Sequence, residues 1–274
     1  MTKYSWSNNP TLWKDSFNIS LAIFAGLETI LGISPDYILG KFNWIIKLLF
    51  ALILFIIIVI TIFIVKWDKA KKGVTVKIHG ITVNVKQGDI FKANGWKIIA
   101  FNEYFDTIVD DKIIAHNTLN GIFIDNYIEN IDDLQQSITS ENDSSSLIKR
   151  QTKNNRWVYP LGRIIPYKDY MLLALTHFDE QNRAHLSQKD YEDCLRFMWK
   201  EICRVYANQP VFLPLLGSGI TRFDGTPHKS KFDLLKCMLC TLRTSGENIN
   251  QPITILLTEK VMQEINIYEI KGVK

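Results

Sequence analysis

A glycine-containing segment in the C-terminal part of the chain carries residue types that bind phosphate. It reads Gly217-Ser218-Gly219-Ile220-Thr221-Arg222-Phe223. The two glycines let the backbone approach a ligand closely, and successive backbone N–H groups can then surround phosphate oxygens. The two hydroxyls would add donors, the arginine would add a positive charge, and the phenylalanine could stack on a ring. The same residues would also suit an ordinary flexible turn.

Two further segments place polar residues at the ends of predicted strands. The first is Gln87-Gly88-Asp89-Ile90, after the second strand of a predicted hairpin. The second combines Ala100-Phe101-Asn102 with the turn His116-Asn117-Thr118-Leu119-Asn120-Gly121. Both therefore join the glycine-containing segment as loops that could hold a ligand.

The strands and helices predicted from the sequence determine where these loops lie in the fold. The apolar–polar alternation of residues 74–85 predicts a β-hairpin. Further strands are predicted at 95–102, 163–167, 170–176, 210–217 and 252–258, helices at 117–127, 187–205 and 231–242, and a mobile loop at 140–155. This order predicts an α/β fold, a three-layer α/β/α domain whose sheet is mixed because of the opening hairpin. In such sheets ligands bind at the carboxyl ends of the strands.

The first 72 residues differ in composition from the rest and predict a transmembrane α-hairpin, ahead of a domain at residues 73–274. Residues 45–65 are predominantly apolar and contain one charged residue, Lys47. About 20 such residues, rising about 1.5 Å each, cross a hydrocarbon core of about 30 Å. Trp44 and Trp67 flank this segment, where aromatic rings favour the membrane interface. The two spans are predicted at about residues 16–34 and 44–66.

The first span is the weaker of the two predictions because Glu28 interrupts it. A signal peptide is disfavoured, since no small-x-small cleavage site follows, whereas an interfacial helix stays open as an alternative. A carboxylate within a span usually faces a partner or a water-filled cavity. Glu28 and Lys47 are therefore candidate residues of a pore. The alternative for Glu28 is a protonated or interface-level side chain in a shallow helix.

Basic residues orient the predicted hairpin. Lys3 and Lys14 precede it, and it is followed by Lys66, Lys69, Lys71 and Lys72. The positive-inside rule then predicts a multi-pass protein with both termini in the cytoplasm. Lysine and arginine form no stripe on the remaining residues, so we expect no nucleic-acid partner.

Other cysteine and acidic residues could in principle be reactive or bind a ligand, but they are interpreted as structural or surface residues. Cys237 and Cys240 form a C-x-x-C within a predicted helix, without a second pair at metal-ligand spacing, so no metal site is expected. One acidic group is interpreted as solvated loop charges, or alternatively as groups that read a cation on the ligand. It comprises Glu103, Asp106, Asp110 and Asp111.

Together, the three loop segments resemble those of a macro domain. The residues that carry the resemblance are Val85-x-x-Gly88-Asp89-Ile90, Asn102 at a strand end, and Gly217-x-Gly219-Ile220-x-x-Phe223. Macro domains bind ADP-ribose and its derivatives. The resemblance therefore implies that Asp89 binds the adenine, that residues 217–221 hold the diphosphate, and that Asn102 faces the distal ribose. The full implied set is Asp89, Ile90, Phe101, Asn102, Asn117, Leu119, Asn120, Gly121, Gly217, Ser218, Gly219, Ile220, Thr221, Arg222 and Phe223.

The whole chain is similar to the macro-domain membrane effectors of Thoeris-type bacterial antiphage defence, with residues 98–121 typical of that subfamily. The resemblance implies a sensor that is not an enzyme and has no cofactor. A TIR-domain enzyme would consume NAD and make an ADP-ribose derivative, histidine-ADP-ribose in this subfamily. The effector would bind this second messenger, form a homo-oligomer in the lipid of the bacterial inner membrane and disrupt it. Growth arrest or cell death of the infected cell would follow.

One departure from the common macro pattern bears on catalysis. Hydrolytic macro domains usually carry Asn-Ala-Ala-Asn followed by a run of glycines. This chain has Ala100-Phe101-Asn102-Glu103, and only Gly121 is left of the glycine run. The departure argues against hydrolysis and for a distal pocket shaped for something larger than ADP-ribose. A membrane-tethered ADP-ribosyl hydrolase or phosphatase is the alternative, and a scaffold that binds no nucleotide is the third.

Overall fold

The computed structural model describes residues 10–31, 40–140, 151–153, 156–179, 181–225 and 229–272. The contacts divide the chain into two units. The hairpin unit comprises Met1–Val74 and Asn266–Lys271, and the sheet unit comprises Thr75–Ile265 and Gly272–Lys274. A C-terminal segment, residues 266–271, thus belongs with the N-terminal helices. The predicted division between residues 72 and 73 places this segment in the other domain.

Two antiparallel helices form most of the hairpin unit. They are α1 (Pro10–Leu31) and α2 (Trp44–Lys72). Trp13 stacks on Phe63 with 4.1 Å between ring centroids, and Phe24 lies edge-on to Phe55 at 5.8 Å. Residues late in α1 therefore contact residues early in α2, which shows that the two helices are antiparallel. The predicted hairpin is confirmed, while residues 32–39, which hold most of the predicted connection, lie outside the described residues.

The outer surface of α2 is apolar. Its large side chains are exposed along most of its length, among them Ile45, Leu52, Ile57 and Ile64. Such a surface is unfavourable in water and matches a lipid environment. In the described part of the chain, one helix is long and apolar enough to span a membrane, at Trp44–Ala70.

Helix α1 does not meet the same measure of length and apolarity. The second transmembrane span therefore stays a prediction. Glu28 belongs to α1, but its side chain lies outside what the structure describes, and Lys47 lies in the first turn of α2.

The sheet unit contains eleven strands and five α-helices within its described residues. The strands are β1 (Val74–Ile78), β2 (Ile81–Gln87), β3 (Trp96–Asn102), β4 (Gln151–Lys153), β5 (Arg156–Val158), β6 (Ile164–Tyr167), β7 (Tyr170–Phe178), β8 (Ala184–Leu186), β9 (Val211–Pro214), β10 (Arg222–Phe223) and β11 (Ile253–Leu257). The helices are α3 (Leu119–Tyr127), α4 (Ile131–Ser140), α5 (Gln188–Val205), α6 (Lys231–Ser245) and α7 (Glu259–Glu264).

The main sheet is mixed, as predicted. Its order is β1-β2-β11-β9-β3-β7-β8-β10, with β6 also paired to β7. Five consecutive strands of this order run parallel to one another: β2, β11, β9, β3 and β7. Strands β6 and β8 run antiparallel to β7. The parallel strands all point their carboxyl ends toward one edge of the sheet.

Helices cover both faces of this sheet. Every residue of β11 is buried, and so are all but one of β7, as expected for strands packed on both sides. Helices α3 and α4 contribute Phe123 and Leu134 to one core, with Phe101 of β3 and Leu172 of β7. Helices α5 and α6 pack against each other, joined by a hydrogen bond from Trp199 Nε1 to Thr241 Oγ1 at 3.1 Å. The three-layer α/β/α prediction is confirmed.

Several short elements escape prediction from the sequence. Strands β8 and β10 and helix α7 are too short to carry a periodic pattern, and α4 is not predicted either. The predicted loop at 140–155 is wrong in part, since its residues 151–153 form β4, paired with β5; residues 141–150 and 154–155 lie outside the described residues. The strand predicted to reach Gly217 ends at Pro214, because the chain turns there and Ser218 N–H donates to Leu215 O.

A buried ion pair joins the sheet to α5. Arg163 Nη1 lies 3.0 Å from Glu201 Oε2, and both side chains are almost fully buried. The backbone N–H of Ile164 and the side chain of Arg204 also donate to the same carboxylate. Removal of one member of such a pair leaves an unpaired buried charge.

We expect Glu201→Ala to lower the free energy of unfolding by about 3–5 kcal/mol, because Arg163 loses its buried partner. Denaturant unfolding of the detergent-solubilised chain measures this. Lys189→Ala is the control, since its ion pair with Asp193 is exposed and solvent screens such pairs so that they contribute little to stability. Equal losses in both variants would contradict a structural role for the buried pair.

Candidate ligand-binding site

A cavity of about 470 Å³ lies at the carboxyl ends of the parallel strands. Asn102 ends β3, Thr176 lies near the end of β7, and Thr258 follows β11; all three line the cavity. The turn after β9 lines it too, through residues 215–221, which we call the glycine loop. Four strands therefore supply one concave site, in the size range of small-molecule pockets.

The glycine loop is held from behind and open toward the cavity. Tyr191 Oη donates to Leu216 O at 2.9 Å, and Ser218 Oγ donates to Leu215 O at 2.6 Å. The backbone N–H groups of Gly219 and Ile220 donate to no acceptor within the described part of the chain. Successive unpaired N–H groups in a turn form an anion-binding concavity.

The opposite wall comes from residues 113–120, ahead of and at the start of α3. Thr118 caps the helix: its Oγ1 accepts from Gly121 N–H at 3.0 Å and donates to Ala115 O at 2.7 Å. A side chain at position 121 would collide with Ala115 O. Gly121 is therefore required for this turn, although it does not itself line the cavity.

Asn120 carries an unsatisfied acceptor at the cavity. Its Oδ1 is buried and receives no hydrogen bond within the described part of the chain. A buried acceptor without a donor is unfavourable by roughly 1–3 kcal/mol. The oxygen lies below the cavity surface, so a ligand would reach it only after the Asn120 side chain turns toward the cavity.

Asn102 is fixed by its own loop. The side chain is 5% exposed. Its Oδ1 accepts from the N–H groups of Tyr104 and Asp106, and its Nδ2 donates to Asp106 Oδ2 at 2.8 Å. An asparagine amide has two donor hydrogens and two acceptor positions, so one N–H is left to face a ligand.

The structure brings most of the predicted site residues together. Those that line the cavity are Phe101, Asn102, Asn117, Leu119, Asn120, Gly217, Ser218, Gly219, Ile220 and Thr221. Besides Gly121, four predicted residues lie outside the lining: Asp89, Ile90, Arg222 and Phe223.

These four residues have other surroundings. The Asp89 carboxylate accepts from Phe91 N–H at 3.0 Å, and Ile90 is buried beside it. Asp89 still follows β2, whose last residue pairs with the last residue of β11, so it lies at the same sheet edge as Thr258. Arg222 is exposed, whereas Phe223 is buried and packs edge-on against Tyr191.

The cavity also has lining residues outside the predicted set of ligand-binding residues, although two of them, Ala100 and Thr118, lie in the predicted loop segments. These lining residues are Ala100, Ile113, Ile114, Ala115, Thr118, Leu175, Thr176, Phe178, Ala184, Pro214, Leu215, Leu216 and Thr258. Thr176 and Thr258 end predicted strands, so the carboxyl-end rule could have found them. The others are mostly apolar and resemble core residues in the sequence.

The acidic residues after β3 have specific partners, and their interpretation as solvated charges is wrong for Glu103. Its side chain is 3% exposed and accepts from Phe178 N–H, and its Oε2 lies 2.6 Å from His177 Nδ1. Asp110 accepts from the N–H groups of Ile113 and Lys112, which lowers the pKa of its carboxyl. These bonds order the chain that leads to the cavity wall.

The family model for the macro domain of Thoeris protein ThsA matches residues 83–258. The Thoeris protein ThsA of Bacillus amyloliquefaciens (strain Y2) is 38% identical over 208 residues, covering 73% of this chain and 70% of that protein. This chain belongs to the ThsA family. It is therefore a Thoeris antiviral defence protein with a macro ligand-binding domain.

Solved macrodomains give weaker similarity than the ThsA relative. A macrodomain of Oceanobacillus iheyensis with a single substitution has a TM-score of 0.48 at 13% identity and covers 73% of this chain and 95% of its own. The macrodomain of the same organism with ADP has a TM-score of 0.46 at 14% identity, with coverages of 73% and 94%.

The two glycines of the loop predict opposite responses to an added methyl group. Gly217 has φ +77°, and a Cβ there would lie 3.2 Å from Phe223 Cζ, whereas Gly219 has nothing within 4 Å of its Cβ position. We expect Gly217→Ala to destabilise the chain by about 1–2 kcal/mol, and Gly219→Ala to be neutral. Thermal unfolding of both variants measures this. An equal response would mean that the turn adopts another conformation.

Proposed function

We propose that this ThsA-family protein is a membrane effector whose macro domain senses an ADP-ribose-derived signal. The observation that carries the proposal is the cavity, lined by the glycine loop with its unpaired Gly219 and Ile220 N–H groups and by the side chains of three asparagines, Asn102, Asn117 and Asn120. The N–H groups suit a diphosphate, and the asparagine amides suit ribose hydroxyls. Asp89, at the same sheet edge, would accept from the adenine amino group.

The proposed signal is histidine-ADP-ribose, made from NAD by a TIR-domain enzyme. The support is chemical. The cavity volume of about 470 Å³ suits a ligand of nucleotide size, and the wall near Asn102 lacks the asparagine–glycine pattern of hydrolytic macro domains. Imidazole and amino acid groups would extend the ligand beyond the distal ribose.

The proposed response is disruption of the bacterial inner membrane by a homo-oligomer. The exposed apolar surface of α2 supports membrane insertion. We propose a multi-pass arrangement of α1 and α2 with both termini in the cytoplasm, and growth arrest or cell death of the infected cell. A ligand can produce this response only when it binds one assembly state better than another.

A sensor is favoured over a hydrolase by the departure from the hydrolytic Asn-Ala-Ala-Asn pattern, since Ala100-Phe101-Asn102-Glu103 stands in its place. The amide of Asn102 makes three hydrogen bonds within its own loop, which fix its orientation. The alternative, a membrane-tethered ADP-ribosyl hydrolase or phosphatase, would need an attacking water and a general base to activate it.

Ligand binding tests the sensor. We expect ADP-ribose and its histidine conjugate to bind the detergent-solubilised full chain in calorimetry, the conjugate more tightly. Gly219→Glu should weaken both at least about 100-fold, because a carboxylate would lie beside the diphosphate. The open space at Gly219 lets this variant fold. Gln251→Glu, outside the cavity, is the control for added charge.

Two outcomes would change this assignment. An absence of binding by the wild-type chain would remove the sensor function. If chromatography shows that the protein converts the ligand to smaller products during incubation, the hydrolase would be favoured instead.

The C-terminal segment offers a route from the sensor to the hairpin. Thr258 lines the cavity and caps α7, its Oγ1 accepting from Val261 N–H at 3.3 Å. The chain then leaves α7 and enters the hairpin unit, where Tyr268 is buried with Leu12 and Phe63. There the Tyr268 hydroxyl donates to Asp15 of α1 and accepts from Lys66 of α2, at 3.1 Å from its Nζ. Burial, together with Asp15, raises the pKa of Tyr268, so its hydroxyl stays protonated.

We therefore expect Tyr268→Phe to uncouple binding from membrane disruption, because it removes both hydrogen bonds and keeps the ring. The ligand-induced dye leakage from vesicles that carry the variant should be about 10-fold lower than from vesicles that carry the wild-type chain. This factor corresponds to the loss of a hydrogen bond to a charged group. Ligand affinity should change less than about twofold, within normal variation. Tyr206→Phe is the control. Unchanged leakage would show that the segment does not transmit binding.

A further inference from the structure

Lys229 presents an unusual charge in the sheet unit. Its Nζ is buried and has no hydrogen-bond partner within the described part of the chain. It lies over the ring of Phe223 at 5.1 Å and over the ring of Tyr191 at 5.4 Å. A buried ammonium is unfavourable without a paired anion, and two ring faces compensate for only part of that cost.

The two rings place this ammonium behind the glycine loop. A Cβ on Gly217 would lie 3.2 Å from Phe223 Cζ and 3.5 Å from Tyr191 Cε2. The Tyr191 hydroxyl also holds the carbonyl of Leu216. Lys229 is thus separated from the cavity by one layer, formed by these rings and the loop backbone.

The material between Lys229 and the cavity is buried and apolar. Tyr191 and Phe223 are both buried, so little water screens a charge across them, and electrostatic interactions weaken less with distance there than at a surface. Asp233, four residues further on, accepts from Ser230 Oγ at 2.6 Å, and Lys229 Nζ has no hydrogen-bond partner within the described residues. The positive potential of Lys229 therefore extends to the loop that the rings support.

We propose that Lys229 is a specificity-determining residue that holds the glycine loop at positive potential and selects ligands with a diphosphate. The inference rests on the proposed function of the cavity. Arg222, the cation that the loop sequence supplies, is exposed on β10, whereas Lys229 lies over the two rings that pack against Gly217 and hold Leu216. A phosphate-bearing ligand supplies the anion that the buried ammonium lacks, although the rings keep it from direct contact.

The test compares a charged ligand with a neutral one. ADP-ribose and adenosine are titrated into the detergent-solubilised wild-type chain, Lys229→Met and Lys229→Arg. Methionine keeps the length of the side chain and removes the charge, so it also removes the unpaired buried ammonium and leaves packing intact. We expect Lys229→Met to bind ADP-ribose about 10-fold more weakly, with adenosine affinity unchanged, and Lys229→Arg to restore most of the ADP-ribose affinity.

Three results would overturn the inference. Equal losses for ADP-ribose and adenosine would mean that Lys229 acts through packing. Unchanged affinity for both, with a lower unfolding temperature, would mean that the lysine only stabilises the fold. Failure of the wild-type chain to bind ADP-ribose would instead overturn the proposed function together with this inference. If Lys229→Met does not fold, Lys229→Gln provides the same neutral replacement.

Discussion

The parallel pairing of β11 with both β2 and β9 holds together the sheet edge on which the cavity is built. Ile255 pairs with Val85 on one side and with Leu213 on the other. Because carboxyl ends of parallel strands meet at the same edge, this register brings segments that are distant in the sequence to one site. Helices on both faces bury β11 completely and keep the register from slipping.

The chemistry of the site depends on groups that the protein itself leaves unsatisfied. The glycine loop lines the cavity with two unpaired N–H groups, and the ammonium of Lys229 lies behind the loop. Unpaired polar groups are unfavourable in a folded protein. An anionic ligand in the cavity would pair with the N–H groups and interact favourably with the ammonium.

The hairpin unit differs from the sheet unit in its exposed apolar surface. Helix α2 exposes apolar side chains that only lipid or another apolar surface can cover. The C-terminal segment nevertheless belongs to this unit through Tyr268, Asp15 and Lys66. The chain passes from one unit to the other near Val74 and again near Asn266. A change in the sheet unit can therefore reach the helices through both ends of its main segment.

The sequence by itself determined the long elements and the loops of the site. The apolar stretch around residues 45–65, the period-2 strands and the Gly217–Gly219 spacing are local patterns, because they follow from helix and strand geometry and from the conformational freedom of glycine. These patterns predict a membrane hairpin, a mixed three-layer domain and a phosphate-binding loop, of which the structure confirms the helical hairpin and the mixed three-layer domain.

Only the tertiary structure decided which side chains meet. Glu103 looks like a loop charge in the sequence but is buried against His177, and Phe223 turns away from the cavity to pack on Tyr191. Lys229 and Tyr268 carry no motif at all. Their roles depend on contacts between residues far apart in the chain, and these are set by packing and strand register rather than by local sequence.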